Sequence, residues 1–539
     1  MAGLAISFGS GAMTNPIDDI GEAACIFIIG SNTTEAHPVI SLQILKAVRN
    51  GAKLIVADPR KIDLCRYADI WINHHPGSDI CLLMGMMRII IDEGLADTNF
   101  VMECCDNFDL FKTSLDKFKF DEIEKITGIT KDKIAEAARL YATYKPATIL
   151  YCLGITEHTH GTDNVLATAN LSMLTGNIGK RGSGVNPLRG QNNVQGACDM
   201  GTLPNVYPGY QRVDNPEVQN KFETAWACNL STKPGLVLTE TYPAAERGKI
   251  KSMYIFGENP VLSDADANEI KKALSNLEFL VVQDIFLTET AQFAHVVLPG
   301  SSFAEKDGTF TNTERKVQRV RKAIEPIGNS KPDWLIICQI AQKLGAKGFD
   351  FDNPSQIMDE IASLTPSYGG INYNRLETCG IHWPCPSEDH PGTPILHMAR
   401  FACGLGKFSP LVYRPPAEMP DKDYPLILIT GRSLYHYHTG TMTRRITGLN
   451  EIEPEGFIEI NPTDASSLQI SNGEMVKVIS RRGEITIKAK IIEKSPPGAL
   501  YMTFHFAENS ANLLTSPALD PVSKTPEFKV CAVKIEKVS

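Results

Sequence analysis

The sequence predicts an α/β protein: two dinucleotide-binding-like α/β domains with parallel sheets, followed by a C-terminal β-barrel. Three observations carry this reading. Residues 25–57 run strand, helix, strand; residues 251–284 repeat that layout; and beyond residue 424 the apolar runs become short and alternating, with hairpin signals between them. At roughly 150 residues per domain, a chain of 539 residues suits about three or four domains. The predicted divisions are 1–191 and 192–330 for the two α/β domains, 331–405 for a linker or partial domain, and 406–539 for the barrel. Pro415, Pro416 and Pro420 mark the last boundary.

In the first domain a buried strand spans 25–29. Ile40, Ile44, Ala47 and Val48 then form one face of a helix that Gly51 ends. A second strand over 53–57 leads into Asp58-Pro59-Arg60, which completes the right-handed crossover of a parallel sheet. Gly30 to Thr34 and Asp58 therefore sit at the carboxyl ends of adjacent strands, the edge where open α/β sheets bind ligands. Helices follow over 80–93 and 131–143, the latter opened by Thr130, then a strand over 148–152, a tight turn at Gly154-Ile155-Thr156 and a helix over 162–174. Residues 178–216, with seven Gly and four Pro, read as one long loop of the kind that is functional or disordered. The second α/β layout places Gly257 and the Gln283-Asp284 pair at strand ends, as two half-sites for an elongated, two-ended cofactor require. Barrel strands are predicted over 426–429, 457–460, 475–480, 485–491 and 500–504.

Composition excludes several classes. Hydrophobic residues at 43% and charged residues at 21% are those of a globular enzyme rather than a disordered chain. Lys plus Arg number 53 against 62 Asp plus Glu, and no dense basic run is present, so nucleic acid is not an expected partner. The apolar run 81–91 is interrupted by Arg88 and falls short of the ~18–20 residues that span a bilayer, so no transmembrane segment is expected. The first fifteen residues lack a basic n-region, which provisionally places the chain in the cytoplasm. Thirteen cysteines are scattered without any Cys-x-x-Cys and read as reduced core thiols, holding neither zinc nor an iron–sulfur cluster.

The densest chemical signal is Asn186-Pro-Leu-Arg189-Gly-Gln191-Asn-Asn-Val-Gln195-Gly-Ala-Cys198-Asp199-Met-Gly201. One guanidinium, able to clamp a carboxylate bidentately, stands among amides and glycines that let the backbone approach a ligand. An Asn- and Gly-rich surface loop is the bland alternative, and the density of amides around a single arginine argues for a ligand site. Gly30 to Glu35 and Asp58 carry a weaker signal, with an ordinary capped turn an even alternative. No Gly-x-Gly-x-x-Gly is present, which disfavours standard nicotinamide binding. His436 and His438 invite a metal, but with no acid or Cys at ligand spacing, stacking on a cofactor is the better reading and no metal ligand is assigned. Residues 305–315 are a further polar run, including Asp307.

Taken together, Gly9 to Asn15, Val56 to Arg60, Leu174 to Gly179, Asn186 to Gly201, Gln283 to Phe286, Ala294 to Pro299, Glu305 to Asn312 and Lys524 to Glu527 resemble the molybdopterin oxidoreductase family, and most closely its formate dehydrogenase branch. The resemblance runs the length of the chain. It implies a barrel of the double-psi type and two molybdopterin guanine dinucleotides carrying molybdenum or tungsten. In it Arg189 orients formate, and Gly30, Asn32, Asp58, Asp79, Gly154, Gln191, Gly257, Gln283, Asp284, Asp307, Arg432, His436, Asn512 and Lys529 lie in stretches similar to the pterin and guanine contacts. It also implies formate and carbon dioxide as substrate and product, with electron-transfer subunits as partners.

One departure from the family pattern is serious: the chain lacks the cysteine quartet of a [4Fe-4S] cluster and the Cys or selenocysteine that ligates the metal. In the family those residues precede a Val-Ala-Gly-Leu-Ala-like segment, and here Met1-Ala2-Gly3-Leu4-Ala5 opens the chain. The expectation is therefore a carboxyl-terminal part of a selenocysteine enzyme, cut where a UGA codon was read as a stop. Such a part is expected to be inactive and poorly soluble by itself. A nitrate reductase-like oxidoreductase and a non-catalytic structural or electron-transfer subunit are the alternatives. The Asn186 to Gly201 run argues against the first, and the retained Arg189 against the second.

Overall fold

The computed structural model describes residues 1–538, and the chain packs into two compact units. The first comprises residues 1–188, 262–267 and 395–539; the second comprises 189–261 and 268–394.

The first unit is built on a five-stranded parallel sheet in the order Ile70–Ile72, Lys53–Ala57, Cys25–Ile29, Ala147–Tyr151, Gly184–Pro187. Its central strands are buried on both faces, and so they read as unbroken apolar runs rather than alternating ones. The helix Pro38–Arg49 begins on a proline and ends before Gly51 at φ +97°. Helix Lys131–Thr143 is capped by Thr130, whose hydroxyl accepts from the Lys133 N–H at 3.4 Å. The apolar run around residue 85 proves to be an interior helix, Asp79–Asp92, almost wholly buried against its neighbours. No helix among the described residues is long and apolar enough to cross a membrane.

The same unit contains a closed six-stranded barrel in the order Leu426–Gly431, Ala499–Thr503, Phe457–Ile460, Glu484–Ile491, Met475–Ile479, Cys531–Lys537. The closing strand Cys531–Lys537 was not among the predicted runs. An ion pair ties the sheet edge to the barrel, Arg60 after the Lys53–Ala57 strand with Glu459 of Phe457–Ile460, and the helix Gly161–Leu174 adds bonds from Thr162 to Asp520 and from Asn170 to the Ser409 carbonyl, both at 2.8 Å.

The second unit holds a three-stranded parallel sheet, Val296–Pro299, Phe279–Asp284, Ser252–Phe256, and an antiparallel one, Gly308–Thr311, Lys316–Val320, Ile381–His382. Of residues 331–405, expected as a linker or partial domain, those up to 394 carry the helices Asp333–Lys343 and Pro354–Leu364 and pack within this unit, while 395–405 belong to the first. Much of that packing comes from fully buried Arg315, whose guanidinium donates to the carbonyls of Trp383, Thr393 (2.9 Å) and Pro394 (2.7 Å). Contacts of this type leave no periodicity in the sequence. The 178–216 stretch likewise corrects the expectation of a single loop. It contains the strand Gly184–Pro187, the helix Val194–Asp199 and a small hairpin of Val206–Tyr207 with Gln211–Arg212.

Candidate functional site

The parallel order places the Cys25–Ile29 and Ala147–Tyr151 strands side by side, with the sheet growing outward from each. That reversal opens a crevice at their carboxyl ends. Gly30, at φ +57°, and Gly154 face each other there, and the Gly154 N–H donates to the Gly30 carbonyl at 3.0 Å. A Cβ on Gly30 would lie 2.8 Å from the Gly154 carbonyl carbon, so both positions need glycine for backbone approach.

Above the crevice lies a cavity of about 930 Å³, its open mouth included. It gathers Gly30, Asn32, Asp58, Asp79 and Gly154 from the sheet edge, and Arg432 and Lys529 from the barrel. Seven predicted residues, separated by up to five hundred positions of sequence, thus line one space. Asp58 accepts from the Arg60 N–H at 2.9 Å, and burial pushes its carboxyl above the usual range. Lys529 donates to the Thr430 carbonyl at 3.0 Å and pairs with Glu157 at 2.8 Å.

Pairings that the sequence did not reveal stiffen this wall. Arg60 pairs with Glu459 at 2.5 Å, both nearly buried, and its guanidinium lies 3.2 Å from the Tyr501 ring centre. His74 meets Asp79 at 3.1 Å. Burial opposes both charges, but the pairing prevails, lowering the Asp79 carboxyl and raising the His74 imidazole. Ser31 Oγ, Arg60 Nε and Arg432 Nε belong to lining residues, are buried and have no partner within the protein. Unmade hydrogen bonds of this kind cost about 1–3 kcal/mol each, so the lining suits a polar, anionic occupant with hydrogen-bonding edges, which a pterin dinucleotide is.

His436 and Asn512 belong to the same unit but are not among the cavity's lining residues. The His436 ring nitrogens are engaged by Thr443 Oγ1 at 3.2 Å and the Glu453 carbonyl at 2.7 Å. Asn512 donates to the Leu262 carbonyl at 2.7 Å and accepts from Thr515.

The remaining predicted residues lie in the second unit. Gly257, at φ +61°, donates its N–H to the Gln283 carbonyl at 2.9 Å at the sheet's carboxyl edge. The Gln283 amide accepts from Tyr254 and donates to Asp333 at 2.7 Å, and Asp333 pairs with Lys306. Asp284 accepts from the Ile285 and Phe286 N–H groups at 2.7 and 3.2 Å. Asp307 lines a separate cavity with Lys306, Asp333 and Tyr373, and pairs with Arg319 at 3.3 Å. Arg189 donates its backbone N–H to Thr313 at 3.0 Å, and its Nε lies 3.4 Å from Gln195 Oε1. Gln191 is half-buried in the turn that leads to the helix Val194–Asp199.

A strand-edge crevice lined by basic and hydrogen-bonding groups, with a second parallel sheet and a closed barrel, defines a nucleotide-cofactor protein of mixed α/β type. Models of known families specify it further. Residues 4–343 match the molybdopterin oxidoreductase model and residues 426–532 the molydopterin dinucleotide binding domain, so the chain belongs to the molybdopterin oxidoreductase family. It is 53% identical over its whole length to the F420-dependent formate dehydrogenase subunit alpha of Methanocaldococcus jannaschii, covering 80% of that protein. It is 40% identical, again over its whole length, to formate dehydrogenase H of Escherichia coli K12, covering 76% of it. Among solved structures, acetylene hydratase from Pelobacter acetylenicus superposes with a TM-score of 0.80 at 21% identity, over all of this chain and 80% of that one, and so shares the fold.

Proposed function

We propose that the chain forms the formate-oxidising part of a molybdenum- or tungsten-dependent formate dehydrogenase, working reversibly at two molybdopterin guanine dinucleotides. The observation that carries this is the Arg189 run, with its guanidinium aligned by Gln195, in a chain 53% identical to a formate dehydrogenase alpha subunit. Arg189 grips the formate carboxylate through charge-assisted hydrogen bonds and so aims the C–H bond. Oxidation leaves carbon dioxide, one proton and two electrons. When bound, the pterin-held metal supplies the two-electron acceptor that no side chain provides.

One dinucleotide is held in the first unit by Gly30, Asn32, Asp58, Asp79, Gly154, Arg432 and Lys529. The second lies along the strand edge at Gly257, Gln283 and Asp284, with Gln191 and Asp307 as further contacts. Gln283, Asp284 and Asp307 must exchange some internal hydrogen bonds for ligand ones. A [4Fe-4S] cluster outside these residues and an electron-transfer subunit in the cytoplasm complete the reading, and the name of the M. jannaschii relative favours F420 as final acceptor. The test is formate-dependent dye reduction by the assembled complex, with metal and pterin analysis. Formate activity with bound pterin is expected; nitrate activity instead supports the nitrate reductase-like alternative, and absence of pterin the non-catalytic one.

A further inference from the structure

Buried at the second unit's centre is a carboxylate that the proposed chemistry leaves without a task. Asp199 accepts four hydrogen bonds, all from neutral donors: Gln195 Nε2 at 2.8 Å and Tyr210 Oη at 2.7 Å on one oxygen, Tyr368 Oη and Trp383 Nε1, each at 2.6 Å, on the other. Asp199 and Gln195 are about 1% exposed, and among the described residues no cation pairs with the carboxylate within salt-bridge distance. Four neutral donors on one buried carboxylate make a rigid cage, since losing any one leaves charge unsatisfied.

The consequence falls on Gln195. Its amide nitrogen faces both Asp199 Oδ1 at 2.8 Å and Tyr210 Oη at 2.9 Å, in a triangle closed by the hydrogen bond that Tyr210 donates to Asp199. The amide cannot flip without placing Oε1 against the Asp199 carboxylate. Oε1 is left facing Arg189 Nε, at a long 3.4 Å. The i, i+4 spacing of Gln195 and Asp199 on the helix Val194–Asp199 brings them onto one face.

We propose that Gln195 is a positioning residue for the formate-binding arginine and that Asp199 acts through it, fixing the amide so that Oε1 orients the Arg189 guanidinium toward a substrate carboxylate. This rests on the reading of Arg189 as the formate clamp. Neither residue touches substrate. The network selects for a small planar carboxylate by holding the guanidinium in one plane before substrate arrives.

The test uses the assembled complex and four variants: Gln195→Met, Asp199→Asn, Arg189→Ala and Gln195→Met with Arg189→Ala. Gln195→Met is expected to raise the formate KM about tenfold, the loss of one hydrogen bond to a charged group, with kcat changed less than about threefold. Metal and pterin content stay those of wild type, while Tm falls modestly because Asp199 loses one donor. Asp199→Asn, which lets the Gln195 amide invert, shifts KM in the same direction. Arg189→Ala raises KM further, and adding Gln195→Met to it changes nothing more.

A wild-type KM in Gln195→Met beside a raised KM in Arg189→Ala overturns the inference while sparing the proposed function. So does an equal effect of Gln195→Met in both arginine backgrounds, the mark of a purely structural role. A wild-type KM in Arg189→Ala overturns both. A cryo-EM map of the wild-type complex supplies a readout independent of turnover and of whether the variants assemble. Gln195 Oε1 within hydrogen-bonding distance of Arg189 Nε supports the inference, and separation by an intervening group refutes it.

Discussion

Gly30 in the first unit and Gly257 in the second both follow a parallel strand, with φ of +57° and +61°. A Cβ on Gly30 would strike the Gly154 backbone, whereas one on Gly257 would meet nothing within 4 Å. The contrast extends to the charges around them. The first cradle is braced by enclosed ion pairs, Arg60 with Glu459 and His74 with Asp79, while the Arg189 region relies on a carboxylate satisfied by neutral donors. The two units thus handle buried charge by different means: ion pairs beside a tight crevice in the first, neutral donors around a carboxylate in the second.

Removing one partner of a buried pair should show the largest effect. Arg60→Met leaves Glu459 enclosed without its cation and is expected to destabilise by about 3–5 kcal/mol in chemical denaturation. A loss near zero would mean that water already reaches the pair, and the ionic description of the first cradle would fall.

Substitution at the two glycines sharpens the steric half of the comparison. Gly30→Val is expected to cost about 2–5 kcal/mol, combining left-handed strain of about 1–2 with overpacking of about 1–3. Gly257→Val carries only the strain, about 1–2 kcal/mol. Equal losses would break the distinction.

Acid separates the units by sign. His160 in the first unit is buried, with both ring nitrogens unpartnered, and burial, helped by neighbouring His158, lowers its pKa to about 4. Below pH 6.5 the unfolded chain takes up a proton that the folded one refuses. Stability therefore falls as pH drops from about 6.5 to 4, by on the order of 3 kcal/mol, and His160→Gln should flatten that slope. Asp199 behaves oppositely: burial raises its carboxyl despite the four donors, so its contribution is lost as pH rises through the raised pKa. A denaturation series across pH on both variants checks the two signs. The smallest effect belongs to the partly exposed Arg319–Asp307 pair, where Asp307→Asn should cost less than about 1 kcal/mol.

How far the sequence could be read follows from the same contrast. Gly30, Asp58 and Gly154 were legible because a strand's carboxyl end announces a crevice whatever the ligand. Arg189 was legible because its amides and glycines are contiguous. Arg60 and Glu459 stand 399 residues apart, and nothing local in either links them. Tyr368 and Trp383 reach Asp199 across 169 and 184 residues, which hides the cage. The Gln195–Asp199 spacing was visible, yet the glycine content of the stretch masked the helix that makes it meaningful. The His436 partners include a backbone carbonyl, which side-chain chemistry does not reveal.

The most direct test of the account is a count of guanine nucleotide released by acid from the complete enzyme, set against the amount of this chain. Two per chain are predicted for wild type, with one lost in Gly30→Val. A wild-type count of one or none, or loss of both from Gly30→Val with the fold intact, would contradict the claim that each unit offers its own nucleotide cradle.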